Sequence, residues 1–112
     1  MQIDRNVEKD VAVTSVNGRL DSSSSHKLDE HLAVIPPDSR ALLLDFAELT
    51  YISSAGLRVV LKATKLARAA GVSLVVCGLS PQVHEVFDVS GFSTLIPIHP
   101  DRASALVALA AL

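Results

Sequence analysis

An apolar run without polar interruption, Ala41-Leu42-Leu43-Leu44, constrains this chain more than any other feature. A strand with one wet face alternates apolar and polar residues. A run without alternation reads as a strand covered on both faces, the situation of a parallel sheet flanked by helices. The strand spans residues 40–46, a loop over 45–54 follows, and Ser53-Ser54 opens a helix with an apolar stripe of Leu57, Val60, Leu61 and Thr64. Strand, short loop and helix in succession are the building unit of an α/β sheet.

The remaining punctuation extends that unit over the whole chain. Residues 2–8 and 10–17 read as an initial pair of strands, the second ended by Asn17-Gly18. Asp21 and the serines Ser22 to Ser25 supply the N-cap and first turn of a helix carrying Leu28, Leu32 and Ile35, stopped by Pro36-Pro37. The second helix runs from Ser54 to Ala70 and closes at Gly71. A strand over 72–77, a short helix over 81–90 with Val83, Val86 and Phe87 inward, and a last strand over 94–98 follow. Pro97 then belongs at a sheet edge. Pro100-Asp101 opens a terminal helix whose expected core face is Ala103, Leu106, Val107 and Ala110. The expected fold is a single α/β domain over 1–112, with a mixed, mostly parallel five-stranded sheet, about four helices and right-handed crossovers.

Composition excludes several function classes. With 112 residues, 49% of them hydrophobic and 20% charged, the chain has enough apolar surface for one core. A net charge of −2 argues against direct nucleic-acid binding, which rests on a large positive field. No stretch is long and apolar enough for membrane insertion, and Met1-Gln2-Ile3-Asp4-Arg5 lacks the core of a signal peptide, so the expected location is the cytoplasm. Cys77 is the sole cysteine, and His26, His31, His84 and His99 lack ligand spacing; no metal or cofactor is expected. Neither a Gly-rich phosphate loop with lysine nor a nucleophile elbow is present, so the chain does not read as an enzyme.

In an α/β sheet, function gathers beyond the strand C-terminal ends. Arg19-Leu20-Asp21, the 45–54 loop and Leu79-Ser80 lie there, and only the second combines hydroxyls, a helix N-terminus and flanking apolar residues. The first amides of a helix lack partners and its macrodipole is positive there, so an anionic group on such a serine is welcomed by the fold. If Ser53 is the N-cap, its hydroxyl is occupied and Ser54 points outward; if Ser54 caps, Ser53 is the freer group. By itself a serine pair at a helix start satisfies capping and nothing more. Along the same helix, Arg58, Lys62, Lys65 and Arg68 fall on one side without an acidic neighbour among them. Arg58, one turn beyond Ser54, is placed to meet a partner carboxylate or a phosphate.

Asp45-Phe46, Leu49, Tyr51-Ile52-Ser53-Ser54-Ala55-Gly56-Leu57, the earlier Gly18-Arg19-Leu20-Asp21 and the later Leu79-Ser80, Val83, Phe87 and Ser90-Gly91-Phe92 closely resemble bacterial STAS-domain anti-sigma-factor antagonists. The similarity covers essentially the whole chain. It implies phosphorylation of Ser54, with Ser53 as the second candidate, by a partner that is both anti-sigma factor and serine kinase with a histidine-kinase-like ATP-binding fold. A metal-dependent serine/threonine phosphatase would reverse it. Unphosphorylated, such a protein binds the kinase and frees the sigma factor. The implied partner surface comprises Gly18, Arg19, Asp21, Tyr51, Ser53, Ala55, Gly56, Arg58 and Lys62. One departure is Ser53, where many members carry aspartate. Two rival readings are a response-regulator receiver built on Asp45, which lacks the acidic cluster and late lysine it would need, and an unphosphorylated STAS subunit of a transport or signalling assembly.

Overall fold

The computed structural model describes residues 1–111. The elements are β1 (Gln2–Glu8), β2 (Val11–Leu20), α1 (Ser25–Leu32), β3 (Ala41–Asp45), β4 (Leu49–Ile52), α2 (Ser54–Ala69), β5 (Ser73–Cys77), α3 (Pro81–Val89), β6 (Ile98–His99) and α4 (Arg102–Ala110). The strands join in the order β1-β2-β3-β5-β6, with β4 beside β2. Only β1 runs antiparallel to its neighbour; the β2–β3, β2–β4, β3–β5 and β5–β6 pairs are parallel.

The unbroken apolar run in β3 has the predicted cause. Leu42 and Leu44 face one core with α1, α2 and α3, while Ala41 and Leu43 face a second core closed by Ala105 and Leu109 of α4. The neighbouring strand β5 repeats the division, Leu74 and Val76 on one side and Val75 and Cys77 on the other. Each successive side chain thus enters a dry layer, and burial rather than amphipathicity selects the sequence. On the larger core, Phe87 of α3 packs edge-on against Phe92 with ring centroids 6.1 Å apart.

Five expectations are corrected. Strand β2 does not end at Asn17-Gly18 but continues to Leu20, its second half held by a further strand. The sheet has six strands, because Leu49–Ile52, read as loop, forms β4. It exists because β2 is ten residues long while β3 covers only Val11 to Ser15; the remaining half of β2 pairs instead with β4, Gly18 opposite Leu49 and Leu20 opposite Ile52. The last strand is two residues, not five. Gly91, at φ 83°, turns the chain into a 3₁₀ turn over Phe92–Thr94, and the amides of Leu95 and Ile96 both donate to the Phe92 carbonyl, so pairing begins only after Pro97. Helix α1 ends at Leu32 rather than reaching Ile35, its C-terminal region held by the Arg5 guanidinium, which donates to the carbonyls of His31 and Val34 at 3.4 and 3.1 Å. In α4 the buried pair is Ala105 and Leu109, while Ala103, Val107 and Ala110 are exposed. That helix is apolar nearly all round, so its sequence does not fix its rotation.

Candidate functional site

The site is assembled where β2 and β4 end. Pairing of these strands sets Arg19 opposite Tyr51 and Leu20 opposite Ile52, and the ladder continues one residue further, the Ser53 amide donating to the Leu20 carbonyl at 2.9 Å. The pairing slips by one residue between Gly18 and Arg19. Gly18 stands at φ 98°, a conformation open to glycine, and its carbonyl accepts from the Thr50 hydroxyl at 3.0 Å. The slip brings the Arg19 guanidinium over the Tyr51 ring, 4.2 Å from its centroid. Both side chains are exposed, so a cation and an aromatic face are offered together to solvent.

Ser53, so pinned, resolves which serine caps α2. Its backbone is extended, φ −93° and ψ 173°, its hydroxyl oxygen accepts from the Gly56 amide at 3.2 Å, and its carbonyl accepts the first helical bond from Leu57 at 2.9 Å. Ser54 is therefore the first helical residue, exposed, and its hydroxyl has no hydrogen-bond partner among the described residues. No acidic side chain occupies the first turn of α2, which leaves the positive end of its dipole uncompensated from within the helix. Gly56, expected at the partner surface, is buried instead. A Cβ there would stand 2.8 Å from Leu20 Cγ and 2.9 Å from Ile52 Cγ1, so its role is to let the helix start lie against the β2–β4 pair. Ala55 is half-buried beside it.

Asp21 is spent on local structure. Its carboxylate accepts from the Ser23 and Ser24 amides at 3.0 and 3.1 Å and from the Ser23 hydroxyl at 2.8 Å. The hydroxyls of Ser23 and Ser24, helped by those amides, hold its pKa below the ordinary carboxylate range. The turn so formed delivers Ser24, not Asp21, as the cap of α1. Of the basic residues on α2, Arg58 and Lys65 are exposed, while Lys62 is paired with Asp29 of α1 at 3.2 Å. That exposed pair is worth about 0–1 kcal/mol, so the ammonium remains available to a stronger partner.

A polar cluster without a sequence signature lies on the other face. Arg102, opening α4, donates to Asp45 at 2.9 Å and to the Ser15 hydroxyl at 2.7 Å, and lies 3.8 Å from Glu8. Asp45 also accepts from the Ala47 amide at 3.0 Å. This carboxylate fastens α4 and the start of the loop to the sheet, which removes it as a free acceptor. Beneath it, burial and then Asp45 push the Cys77 thiol up to about 12, far from a reactive thiolate. Nothing in the order of residues signalled the cluster, because its members are separated along the chain and meet only across the folded sheet.

Comparison with known proteins gives the family and the fold. The family model described as the STAS domain matches residues 2–105. BtrV of Bordetella bronchiseptica, assigned as an anti-sigma factor antagonist, is 39% identical over 97 residues, 86% of this chain and 84% of that protein. The anti-sigma F factor antagonist of Paenibacillus polymyxa is 29% identical over 97% of this chain and 95% of its own length. Among solved structures, that of the anti-sigma factor antagonist SpoIIAA in its unphosphorylated form superposes with a TM-score of 0.83 over 99% of this chain and 98% of the other, at 18% identity.

Proposed function

Because this chain belongs to the STAS domain family, whose anti-sigma-factor antagonists are regulatory binding proteins rather than enzymes, we propose that it is itself such an antagonist, toggled by phosphate on Ser54. The unphosphorylated protein binds an anti-sigma factor that is also a serine kinase with a histidine-kinase-like ATP-binding fold, and sigma factor is released. Phosphorylation of Ser54 ends the binding, and a metal-dependent serine/threonine phosphatase restores it. The exchange takes place in the cytoplasm, without direct contact to nucleic acid. No described helix is long and apolar enough to cross a membrane.

The observation that carries this reading is the division of labour at the start of α2. The Ser53 oxygen is engaged with the Gly56 amide, while the next hydroxyl stands exposed at the first helical position, without a hydrogen-bond partner among the described residues. A phosphoserine there carries about −1.5 to −2 charge, and the helix terminus returns roughly 0.3–1 kcal/mol per favourable charge at an exposed site. The fold therefore accepts the modification. A partner shaped for a neutral hydroxyl does not, since it must strip the dianion of water without matching donors, at a cost of several kcal/mol. Each ~1.4 kcal/mol is tenfold in affinity, so one phosphate suffices to empty the complex without unfolding either protein. Arg19, Tyr51, Arg58 and Lys62 supply the surrounding contact surface, with Gly18 and Asp21 shaping the backbone beneath it.

Binding of the kinase to wild type, Ser54→Ala and Ser54→Glu by calorimetry tests this. Ser54→Ala should bind and resist the switch, and Ser54→Glu should lose affinity by at least about tenfold with an unchanged melting temperature. Equal affinity of all three proteins rejects the switch.

A further inference from the structure

The first half of β5 has an open edge, and a proline keeps it open. In a parallel sheet, alternate residues direct both N–H and C=O to the same neighbour. Ser73 and Cys77 bond toward β3, the Ser73 amide donating to the Arg40 carbonyl at 3.1 Å and the Phe46 amide to the Cys77 carbonyl at 3.0 Å. Val76 bonds toward β6, its amide donating to the Pro97 carbonyl at 3.0 Å. Leu74 faces the same outer edge as Val76. Its carbonyl falls opposite position 97, where proline has no N–H to give. Its own amide finds no acceptor among the described residues, because the chain before Pro97 has turned back on Phe92.

These two backbone groups belong to a residue only 6% exposed, and they border a cleft of about 620 Å³. Leu95 and Pro97 form one wall and Ala108 and Leu109 of α4 another, with Arg68 of α2 contributing the cation. Arg68 is exposed and makes no ion pair among the described residues. The volume lies within the roughly 300–1,000 Å³ of ligand sites. A hydrocarbon would leave donor and acceptor both unmet, whereas one residue of an extended peptide presents the complementary pair at strand spacing.

We propose that this cleft binds a short, extended, apolar peptide segment of another protein by strand addition to the Leu74 edge of β5, with an acidic side chain of that segment set against Arg68. The site stands apart from the switch: Ser54 and Arg68 lie at opposite ends of α2, about 21 Å apart along its axis. It therefore stands or falls independently of the phosphorylation reading.

The test is an NMR titration of the full chain with the blocked peptide acetyl-Asp-Val-Ile-Val-amide, its fully N-methylated counterpart, and decanoate. Before any addition, the Leu74 amide should exchange with solvent faster than those of Val75 and Val76; equal protection removes the premise. The peptide should shift Val72 to Val75 saturably, with a dissociation constant on the order of 1 mM, and N-methylation should weaken it about tenfold. Arg68→Glu should weaken binding. Pro97→Ala, which returns an N–H to the Leu74 carbonyl, should weaken it too, as should Ala108→Trp, which fills the cleft from the α4 side. Absence of saturation overturns the proposal. So does equal binding of the N-methylated peptide or decanoate, which would make the cleft an apolar pocket rather than a strand-pairing edge.

Discussion

Replacing Ser53 by alanine isolates what the capping serine contributes, and the structure sets the size of the effect. The substitution removes one acceptor, the oxygen 3.2 Å from the Gly56 amide. Loss of a serine cap costs typically ~1 kcal/mol within a range of about 0.5–2. Here Gly56 is buried against Leu20 and Ile52, so water cannot readily replace the lost acceptor, and the cost belongs in the upper half, about 1–2 kcal/mol. For 112 residues the unfolding entropy is about 0.24 kcal/mol per kelvin, which makes the expected fall in melting temperature roughly 4–8 °C. Ser53→Asp restores the acceptor and adds an anion at the positive helix end, so its stability should equal or exceed wild type by about 0.3–1 kcal/mol. Ser54→Ala breaks no hydrogen bond and should stay within about 0.5 kcal/mol. Urea denaturation of the three variants, with m-values compared to establish a common unfolded state, provides the measurement. A Ser53→Ala protein as stable as wild type, or a larger loss in Ser54→Ala, would refute the assignment of cap and acceptor.

Gly56→Ala gains about 1 kcal/mol of helix propensity but must displace the Leu20 and Ile52 side chains from contacts of 2.8 and 2.9 Å, at about 1–3 kcal/mol, so calorimetry should show net destabilisation; a stabilised variant would deny the close approach. Cys77, fully buried and with its thiol pushed up to about 12, should not react with a disulfide reagent at pH 8 until the protein is unfolded in urea, and rapid labelling of the native protein would contradict its burial. Burial, and then the neighbouring Arg5, lower the pKa of His31, so the folded state binds fewer protons there than the unfolded chain. Stability should consequently fall as pH drops below the unfolded value of about 6.5, and His31→Gln should flatten that limb of the pH profile; an unchanged slope would remove His31 as its source.

The parts of the fold that were legible in the sequence are those where burial alone dictates residue type. Ala41 to Leu44 could only be a strand between two cores, and the spacing of Leu57, Val60 and Thr64 fixed both the existence and the phase of α2. Legibility failed where an element depends on a neighbour. β4 is four residues long and pairs with just the upper half of β2, so it has no periodicity of its own to read. The alanine-rich α4 is oriented by Arg102 reaching Asp45 and by Arg40 donating to the Leu109 carbonyl at 2.7 Å, contacts that span most of the chain. The site divides in the same way. Ser53 and Ser54 announce themselves as a helix start, whereas the stacking of Arg19 on Tyr51 exists only through the slipped pairing of β2 with β4, and the Lys62–Asp29 pair only through the packing of α1 on α2.

The switch rests on one hydroxyl, and peptide mapping by mass spectrometry after incubation with ATP and the partner kinase locates the phosphate. A single phosphate is expected, located at Ser54 in wild type, retained there in Ser53→Ala and absent from Ser54→Ala. Phosphate on Ser53, or an unmodified Ser53-Ser54 peptide in the presence of an active kinase, would contradict it.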